Sequence, residues 1–350
     1  MDRRARRNQQ RGPSSTTIRD IAESSGVSVA TVSRVLNGRP DVSTDTREMV
    51  LRHIRERGYA SNRNARALAQ GRTGLIGLTV PIVHAEYFNQ IVSGAAEALY
   101  ERDGRFVLCP TQHEHAREVS LLERVMHGTT GGAILILPSE SGAELLQLRE
   151  RGYPFVVVDP REPVHDSIAT VGVAQWSGAR MAVEHLVGLG HRRIGAITGP
   201  PSWVATIDRL AGYLSGLLAA GLSAGMELVR EGDFMFDSGY RAAHELLALA
   251  DPPTAIFAFN DNMAVGVLRA ARERGLEIPS DLSVVGMDDV QIAEFSTPAL
   301  TTVRQPLQEM GRIAVSRLYR LIHGQRLEAA RIELSTRLVI RGSTGPSRTS

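Results

Sequence analysis

TIRDIAESSGVSVATVSRVLNG, residues 17–38, sets two short apolar stripes among mostly short polar side chains. Their chemistry is hydrogen bonding to an extended surface rather than bond making. Ser28, Val29, Ala30, Thr31, Ser33, Arg34 and Asn37 fall on one side of a short helical stretch, with Val32, Val35 and Leu36 on the other. Hydroxyls, one guanidinium and one amide on an outward face suit base edges and phosphates in a major groove, where a core-packing face would carry larger apolar groups. A second set of candidates lies far downstream: Phe88, Asp159, Trp176, Trp203, Arg209, Phe234 and Asp261. They offer carboxylate acceptors, a forked donor and aromatic walls, which is chemistry for a hydroxyl-rich small molecule. An ordinary packing role is the alternative for either tryptophan, and a helix N-cap is the alternative for Asp261. His113, Glu114 and His115 in TQHEHAR carry metal-type donors but lack a further convergent ligand, so they read as a solvated loop.

The first set needs two small helices at a sharp angle. Thr17 and Asp20 have the spacing of a capping box, Ile18, Ile21 and Ala22 share a face, Gly26 can take a positive φ, and Ser28 reads as the next N-cap. This is the pattern of a helix-turn-helix, with Thr17 and Ile18 at its entry counted among the DNA-facing candidates. A third helix from near Ser43, carrying Met49, Val50, Leu51 and Ile54 inward and ending at Gly58-Tyr59, would close a minimal domain. SNRNARALAQGRTG follows, helical in composition with almost nothing apolar to anchor it, so alone it should be disordered. Two copies side by side could present Leu68, with Ala65 on its face, as a wedge to a minor groove, placing Asn62, Arg63 and Arg66 near phosphates. A plain polar linker is the other reading of this stretch.

The second set needs strand ends. LIGLTV, RFVLCP, GAILIL, FVVVD, RIGAIT, AIFAFN and SVVGMD are short β-rich runs, each followed by residues of helical pattern. That alternation is the signature of an α/β, doubly wound parallel sheet. The runs are too many for one ordinary sheet and the rhythm restarts near Arg192, which predicts two similar lobes. Ligands of such sheets bind at the carboxyl ends of the strands, so the cleft between lobes is the expected site.

Composition narrows the function classes. The net charge of the 350 residues is only +2, yet residues 1–72 hold 15 arginines against 7 acidic residues, leaving the rest of the chain acidic. A basic head on an acidic body points to a polyanion as the head's partner. All 40 basic residues are arginine; with no lysine, P-loop, pyridoxal-phosphate and Schiff-base chemistry are excluded. No G-x-G-x-x-G follows a first strand, no strand leads into a G-x-S-x-G elbow and no H-E-x-x-H occurs, so an enzyme is not expected, and neither is a cofactor or a metal. The single cysteine, Cys109, fits a reducing cytoplasm. The arginine-rich start lacks the apolar core of a secretory signal, no apolar run reaches the length of a membrane helix, and no membrane partner is expected.

The string Thr17–Asn37, VSTDTREMV, SNRNARALAQGRTGLIGL, EHLVGLGHRRIGAITGP, DRLAGY, PTAIFAFNDNMAVG, SVVGMDD and LTTVRQP, in this order, resemble the lactose-repressor (LacI/GalR) family of bacterial transcription regulators over nearly the whole chain. The resemblance breaks at Ala174-Gln175, where many members carry an Asp-Asn pair. It implies a periplasmic-binding-protein-like body with crossovers near residues 173 and 303, and it supports Phe88, Trp203, Arg209, Phe234 and Asp261 as effector contacts more than Asp159 or Trp176. The expected organisation is a disordered basic arm (1–14), a helix-turn-helix domain (15–60), a hinge helix and linker (61–72) and a two-lobed effector and dimerisation domain (73–345). Within it, lobe 1 would take 73–173 plus 304–327 and lobe 2 would take 174–303 plus 328–345. The implied partners are a near-palindromic operator, a second copy of the chain and a small effector, a sugar first and a nucleoside or other metabolite second. A cytoplasmic sugar-binding protein that never touches DNA is the remaining alternative.

Overall fold

A computed structural model describes residues 16–36, 39–57, 74–122, 129–223 and 225–348. The chain divides into two units, Met1–Gln70 and Gly71–Ser350.

In the first unit, α1 (Ile18–Ser25) starts at the expected capping box: the Thr17 amide donates to Asp20 Oδ2 at 2.7 Å and the Asp20 amide donates to Thr17 Oγ1 at 3.3 Å. Gly26 ends the helix at φ 65°, a conformation that a residue without a Cβ takes at little cost. The Ser28 hydroxyl accepts from the Thr31 amide at 3.1 Å and opens α2 (Val29–Leu36). α3 (Thr44–Glu56), capped by Ser43, closes the unit over Ile21, Ala22, Val32, Val35 and Val50. Five fully buried side chains make a small core, and Ile18, Val27, Leu36, Val42, Leu51 and Ile54 extend it from the rim.

The second unit is built on two six-stranded sheets. The first comprises β1 (Leu75–Val80), β2 (Arg105–Pro110), β3 (Gly132–Ile136), β4 (Phe155–Val158), β5 (Thr170–Val173) and β11 (Arg331–Leu334), in the order β2-β1-β3-β4-β5-β11, all parallel. The second comprises β6 (Ile194–Thr198), β7 (Val229–Glu231), β8 (Ala255–Ala258), β9 (Ser283–Asp288), β10 (Thr301–Arg304) and β12 (Arg337–Val339), in the order β7-β6-β8-β9-β10-β12. Only the β10–β12 pair is antiparallel among these ladders.

Helices cover both faces, as continuous apolar strands require. On the first sheet α4 (Glu86–Tyr100) and the late helix α12 (Leu307–Ile322) pack together over one core. They approach so closely that a Cβ at Gly94 would fall on the Gln308 backbone and one at Gly311 on the Ile91 carbonyl. α5 (His115–Leu121) and α6 (Gly142–Glu150) belong to the same lobe, whose opposite face buries Leu135, Leu145, Phe155 and Val157. The second sheet is sandwiched by α7 (Gln175–Gly188), α8 (Val204–Ala219), α9 (Phe236–Leu246), α10 (Asp261–Glu273) and the short α11 (Gln291–Phe295).

The chain crosses between lobes after β5, after β10 and again between β11 and β12. The third crossing lies later than the expected return at residue 328: Arg331–Leu334 still pairs in register with Thr170–Val173, because its backbone continues the edge that β5 leaves open.

Candidate functional site

A cavity of about 360 Å³ lies between the two sheets at the carboxyl ends of their strands. Lobe 1 supplies Tyr87, Phe88, His113, Asp159 and Arg161; lobe 2 supplies Trp203, Arg209, Phe234, Asn260, Asn262 and Asp288 among the lining residues. Five residues with positive φ line it: His113 (59°), Leu137 (48°), Asp159 (51°), Phe234 (66°) and Asp288 (131°). Non-glycine residues rarely adopt this backbone, and clusters of them accompany functional sites where the surrounding fold imposes the geometry.

Each wall has its own chemistry. In lobe 1 the Tyr87 hydroxyl, at the start of α4, donates to Asp159 Oδ2 at 2.7 Å. Burial pushes the Asp159 carboxyl above the usual range against the pull of that hydrogen bond, and burial together with Asp159 pushes the Tyr87 phenol up. In lobe 2 Asp288 is 5% exposed and accepts from Gln305 Nε2 at 2.6 Å. Burial holds it well above the ordinary carboxylate range, with Arg209 opposing and the charges of Asp261 and Asp159 adding to the shift. Arg209 is anchored by its Nε on Gln175 Oε1 at 2.7 Å and by a second nitrogen on the Phe259 carbonyl, and lies over the Phe234 ring at 5.6 Å. Gln175 therefore has a definite task in this chain: it fixes the guanidinium that faces the cavity. Trp203 and Phe234 sit 5.4 Å apart with ring planes at 32°. The whole offers carboxylate and amide partners for hydroxyls beside a planar apolar wall.

Of the seven residues expected at a ligand site, Phe88, Asp159, Trp203, Arg209 and Phe234 line this cavity. Asp261 does not: it is fully buried, its carboxylate accepts from the Val290 amide at 3.0 Å and from the Thr302 hydroxyl, and the N-cap of α10 is Asn260. As the first helical residue its side chain turns back into lobe 2, while its neighbours Asn260 and Asn262 face the cavity. Trp176 also lies elsewhere, 42% exposed on α7 under the Arg180 guanidinium at 5.4 Å. His113, read as part of a solvated loop, lines the cavity and contacts an Arg161 nitrogen at 3.2 Å. His115 instead meets Glu144 at 3.0 Å, and among the described residues no group of three or more His, Cys, Asp or Glu side chains is placed to hold a metal ion. GLSAG, residues 221–225, has the spacing of a nucleophile elbow but follows α8 rather than a strand.

In the first unit Ser28, Val29, Ala30 and Arg34 are exposed, Thr31 and Ser33 half-buried. Arg34 lies 3.6 Å from Asp41, both side chains 58% exposed, a contact too solvated to hold the guanidinium away from another partner. Thr17 is engaged in the cap and Ile18 packs against the core, so these two shape the face more than they present groups from it. Asn37, Asn62, Arg63, Ala65 and Leu68 lie outside the described residues, as does the 1–14 arm.

Residues 17–62 match the family description "Bacterial regulatory proteins, lacI family" and residues 183–344 match "Periplasmic binding protein-like domain". The chain is 39% identical over 336 residues to the HTH-type transcriptional regulator CelR of Thermobifida fusca, covering 93% of this chain and 98% of that one. A structure of a transcriptional regulator CelR–cellobiose complex aligns at TM-score 0.72 with 36% identity over 94% of this chain and 99% of that one. The lac repressor dimer bound to operator and the anti-inducer ONPF aligns at TM-score 0.85 with 32% identity over 95% and 100% of the two chains. Carrying a helix-turn-helix unit and a two-lobed domain with a cavity between its sheets, the chain belongs to the LacI family of DNA-binding transcriptional regulators.

Proposed function

We propose that this regulator represses carbohydrate-use genes and that a neutral sugar of up to disaccharide size, bound between the lobes, changes its affinity for its operator. The cavity carries this reading: carboxylates from both lobes and the anchored Arg209 face one aromatic wall, Trp203 and Phe234, within a volume in the range of small-molecule sites. Hydroxyls pair with acceptors and forked donors, and the apolar face of a sugar ring packs on an aromatic plane. The cellobiose in the CelR complex, a protein similar over nearly its whole length, favours a disaccharide over a nucleoside as the first ligand to try. The contacts assigned to the ligand are Phe88, Asp159, Trp203, Arg209 and Phe234, joined by Tyr87, Asn260 and Asp288.

On the DNA side, two subunits would set α2 into successive major grooves of a near-palindromic operator, with Ser28, Val29, Ala30, Thr31, Ser33, Arg34 and Asn37 toward the DNA. Residues 61–72 would serve as the hinge, Leu68 entering the minor groove at the centre, and the basic arm 1–14 would add phosphate attraction. The protein acts in the cytoplasm with its DNA, and no catalytic step is assigned to it. Arg34→Ala should weaken operator binding by about 1–3 kcal/mol if the guanidinium reads a base, or lower the salt slope by about one if it meets a phosphate. The test is fluorescence anisotropy on DNA from upstream of the protein's own gene, with cellobiose, other mono- and disaccharides and nucleosides titrated in. A saturable change in operator affinity with a saccharide supports the reading; a response to nucleosides alone, or to nothing in the panel, contradicts it.

A further inference from the structure

Behind the lobe 1 wall lies a polar cluster that ligand binding as described leaves idle. Glu118 on α5 and Glu140 just ahead of α6 are 1% and 4% exposed. Glu118 Oε2 accepts from the Ser139 amide at 2.9 Å. The proton that the raised Glu140 carboxyl carries bridges it to Glu118, no other side chain donates to the Glu140 oxygens, and the Nε of Arg161 is buried without a hydrogen-bond partner. Buried polar atoms in folded proteins are paired with few exceptions. A buried acid pair held by one shared proton and an unmatched guanidinium nitrogen lie close enough for Glu118 and Glu140 to act electrostatically on Arg161, and losing that proton leaves the pair with acceptors that the arginine complements.

Arg161 meanwhile ties the lobes together. Its guanidinium lies 4.7 Å over the ring of Trp203, a nitrogen contacts His113 at 3.2 Å, and its carbonyl accepts from the Val204 amide at 2.9 Å. A sugar packed on the face of Trp203 that the guanidinium covers would take the place of that cation.

We propose that Arg161 is a two-position latch: it bridges the lobes over Trp203 in the arrangement described and turns back onto the buried Glu118–Glu140 pair when a cavity ligand takes its place. The proposal rests on the reading of the cavity as a ligand site only for the identity of what displaces the arginine; the two positions are set by the protein alone.

The acid pair makes the latch sensitive to pH. Burial, followed by the charge of Glu118, raises Glu140 to about 8, and burial raises Glu118 as well. The other charged or titratable groups around the pair are Glu114 and His115 at the start of α5, Glu144 on α6, Arg161 and Glu162 after β4, and His113. His115 is committed to Glu144 at 3.0 Å, and Glu144 is held below the usual range by its bonds to Ser141. His113 is lowered by burial, so it stays neutral through the alkaline window. The sign follows: a group with a raised carboxyl pKa is protonated below it, so raising the pH through about 8 places new negative charge behind Arg161 and draws it away from Trp203. Pairing with arginine favours the ionised acid, so ligand binding releases protons and tightens with rising pH.

Trp176 and Trp203 are the two tryptophans of the chain, and Trp176 lies outside the cavity, so Trp176→Phe isolates the emission of Trp203. Without any ligand, the emission of this single-tryptophan protein should change along a single titration with a midpoint near 8. The same titration should vanish in added Glu140→Gln, a near-isosteric change, and in added Arg161→Ala, with circular dichroism verifying that each variant is folded. No titration in the parent, or one that persists in folded Glu140→Gln, overturns the latch. Cellobiose supplies the second arm: Glu140→Gln should weaken its binding about tenfold at pH near 8.5, and should do nothing further in an Arg161→Ala background. An equal loss in both backgrounds also overturns the latch. A ligand-free titration as expected with no cellobiose binding supports the latch and counts against the sugar assignment instead.

Discussion

The two lobes are the same sheet built twice, β2-β1-β3-β4-β5 against β7-β6-β8-β9-β10, and each brings an aspartate to the cavity at the end of its fourth strand. Asp159 follows β4 with φ 51° and Asp288 ends β9 with φ 131°. What differs is the partner. Asp159 accepts a direct hydrogen bond from Tyr87 of its own lobe and feels Arg209 and Gln175 of the other, whereas the direct hydrogen bond to Asp288 comes from Gln305, a residue of the crossing that leads from β10 into α12 and hence into the other lobe. Repeated topology fixes where an acid stands. The segment that supplies its hydrogen-bond partner decides what else moves with it: the direct bond of the lobe 1 acid stays within its lobe, and that of the lobe 2 acid reaches the joint between lobes.

Three substitutions probe this asymmetry. The largest effect belongs to Asp261→Ala, which leaves the Thr302 hydroxyl and the Val290 amide unpaired inside lobe 2. At about 1–3 kcal/mol for each orphaned group, stability should fall by about 3 kcal/mol in urea or thermal melting, with cellobiose affinity of the folded protein within about threefold of the parent. Unchanged melting with lost ligand binding would return Asp261 to the cavity. Asp288→Ala comes next. Removing a buried acceptor from a hydroxyl-binding site costs about 2 kcal/mol, or about thirtyfold in affinity, and because Gln305 also loses its partner, the difference in operator affinity between liganded and free protein should shrink too. A binding defect with the operator response to saturating sugar intact would break the proposed link to the crossing. Tyr87→Phe is the mildest: loss of one hydroxyl should weaken sugar by about 1 kcal/mol, about fivefold, and leave the operator response at saturation unchanged. A reduced response at saturation would show that both acids are wired to the joint.

How much of this was legible in the sequence depends on what each residue's surroundings encode. Runs such as AIFAFN and SVVGMD announce β8 and β9 because strands buried on both faces need uninterrupted apolar side chains. TVGV, RIEL and RLV are too short or too mixed to do so, and β11 declares itself only through the edge it joins. At the site, the strand-end rule finds the right places and not the right atoms. In Asn260-Asp261-Asn262 it favours the charged residue, yet the backbone turning into α10 aims the two amides outward and the carboxylate in. Asp288 ends its strand, and the same rule applied to SVVGMDD finds it. Arg161 stands two residues beyond Asp159, and His113 in a loop with positive φ; neither position has a periodicity to read. Only its residue type makes Trp176 a candidate for a ligand wall, and the first turn of α7 leaves it half-exposed beside Arg180. The core side of α2 was legible because eight residues suffice to show the apolar stripe that Val32 and Val35 bury.

The central claim, that a sugar between the lobes governs DNA binding by the first unit, meets its most direct test in one titration: operator anisotropy for the wild-type chain and for Asp288→Ala, each with increasing cellobiose. The account predicts equal operator affinity without sugar, a saturable change for wild type, and a response in the variant that needs about thirtyfold more sugar and is smaller at its limit. A folded Asp288→Ala protein that responds as wild type does, at the same cellobiose concentrations and to the same extent, would contradict it.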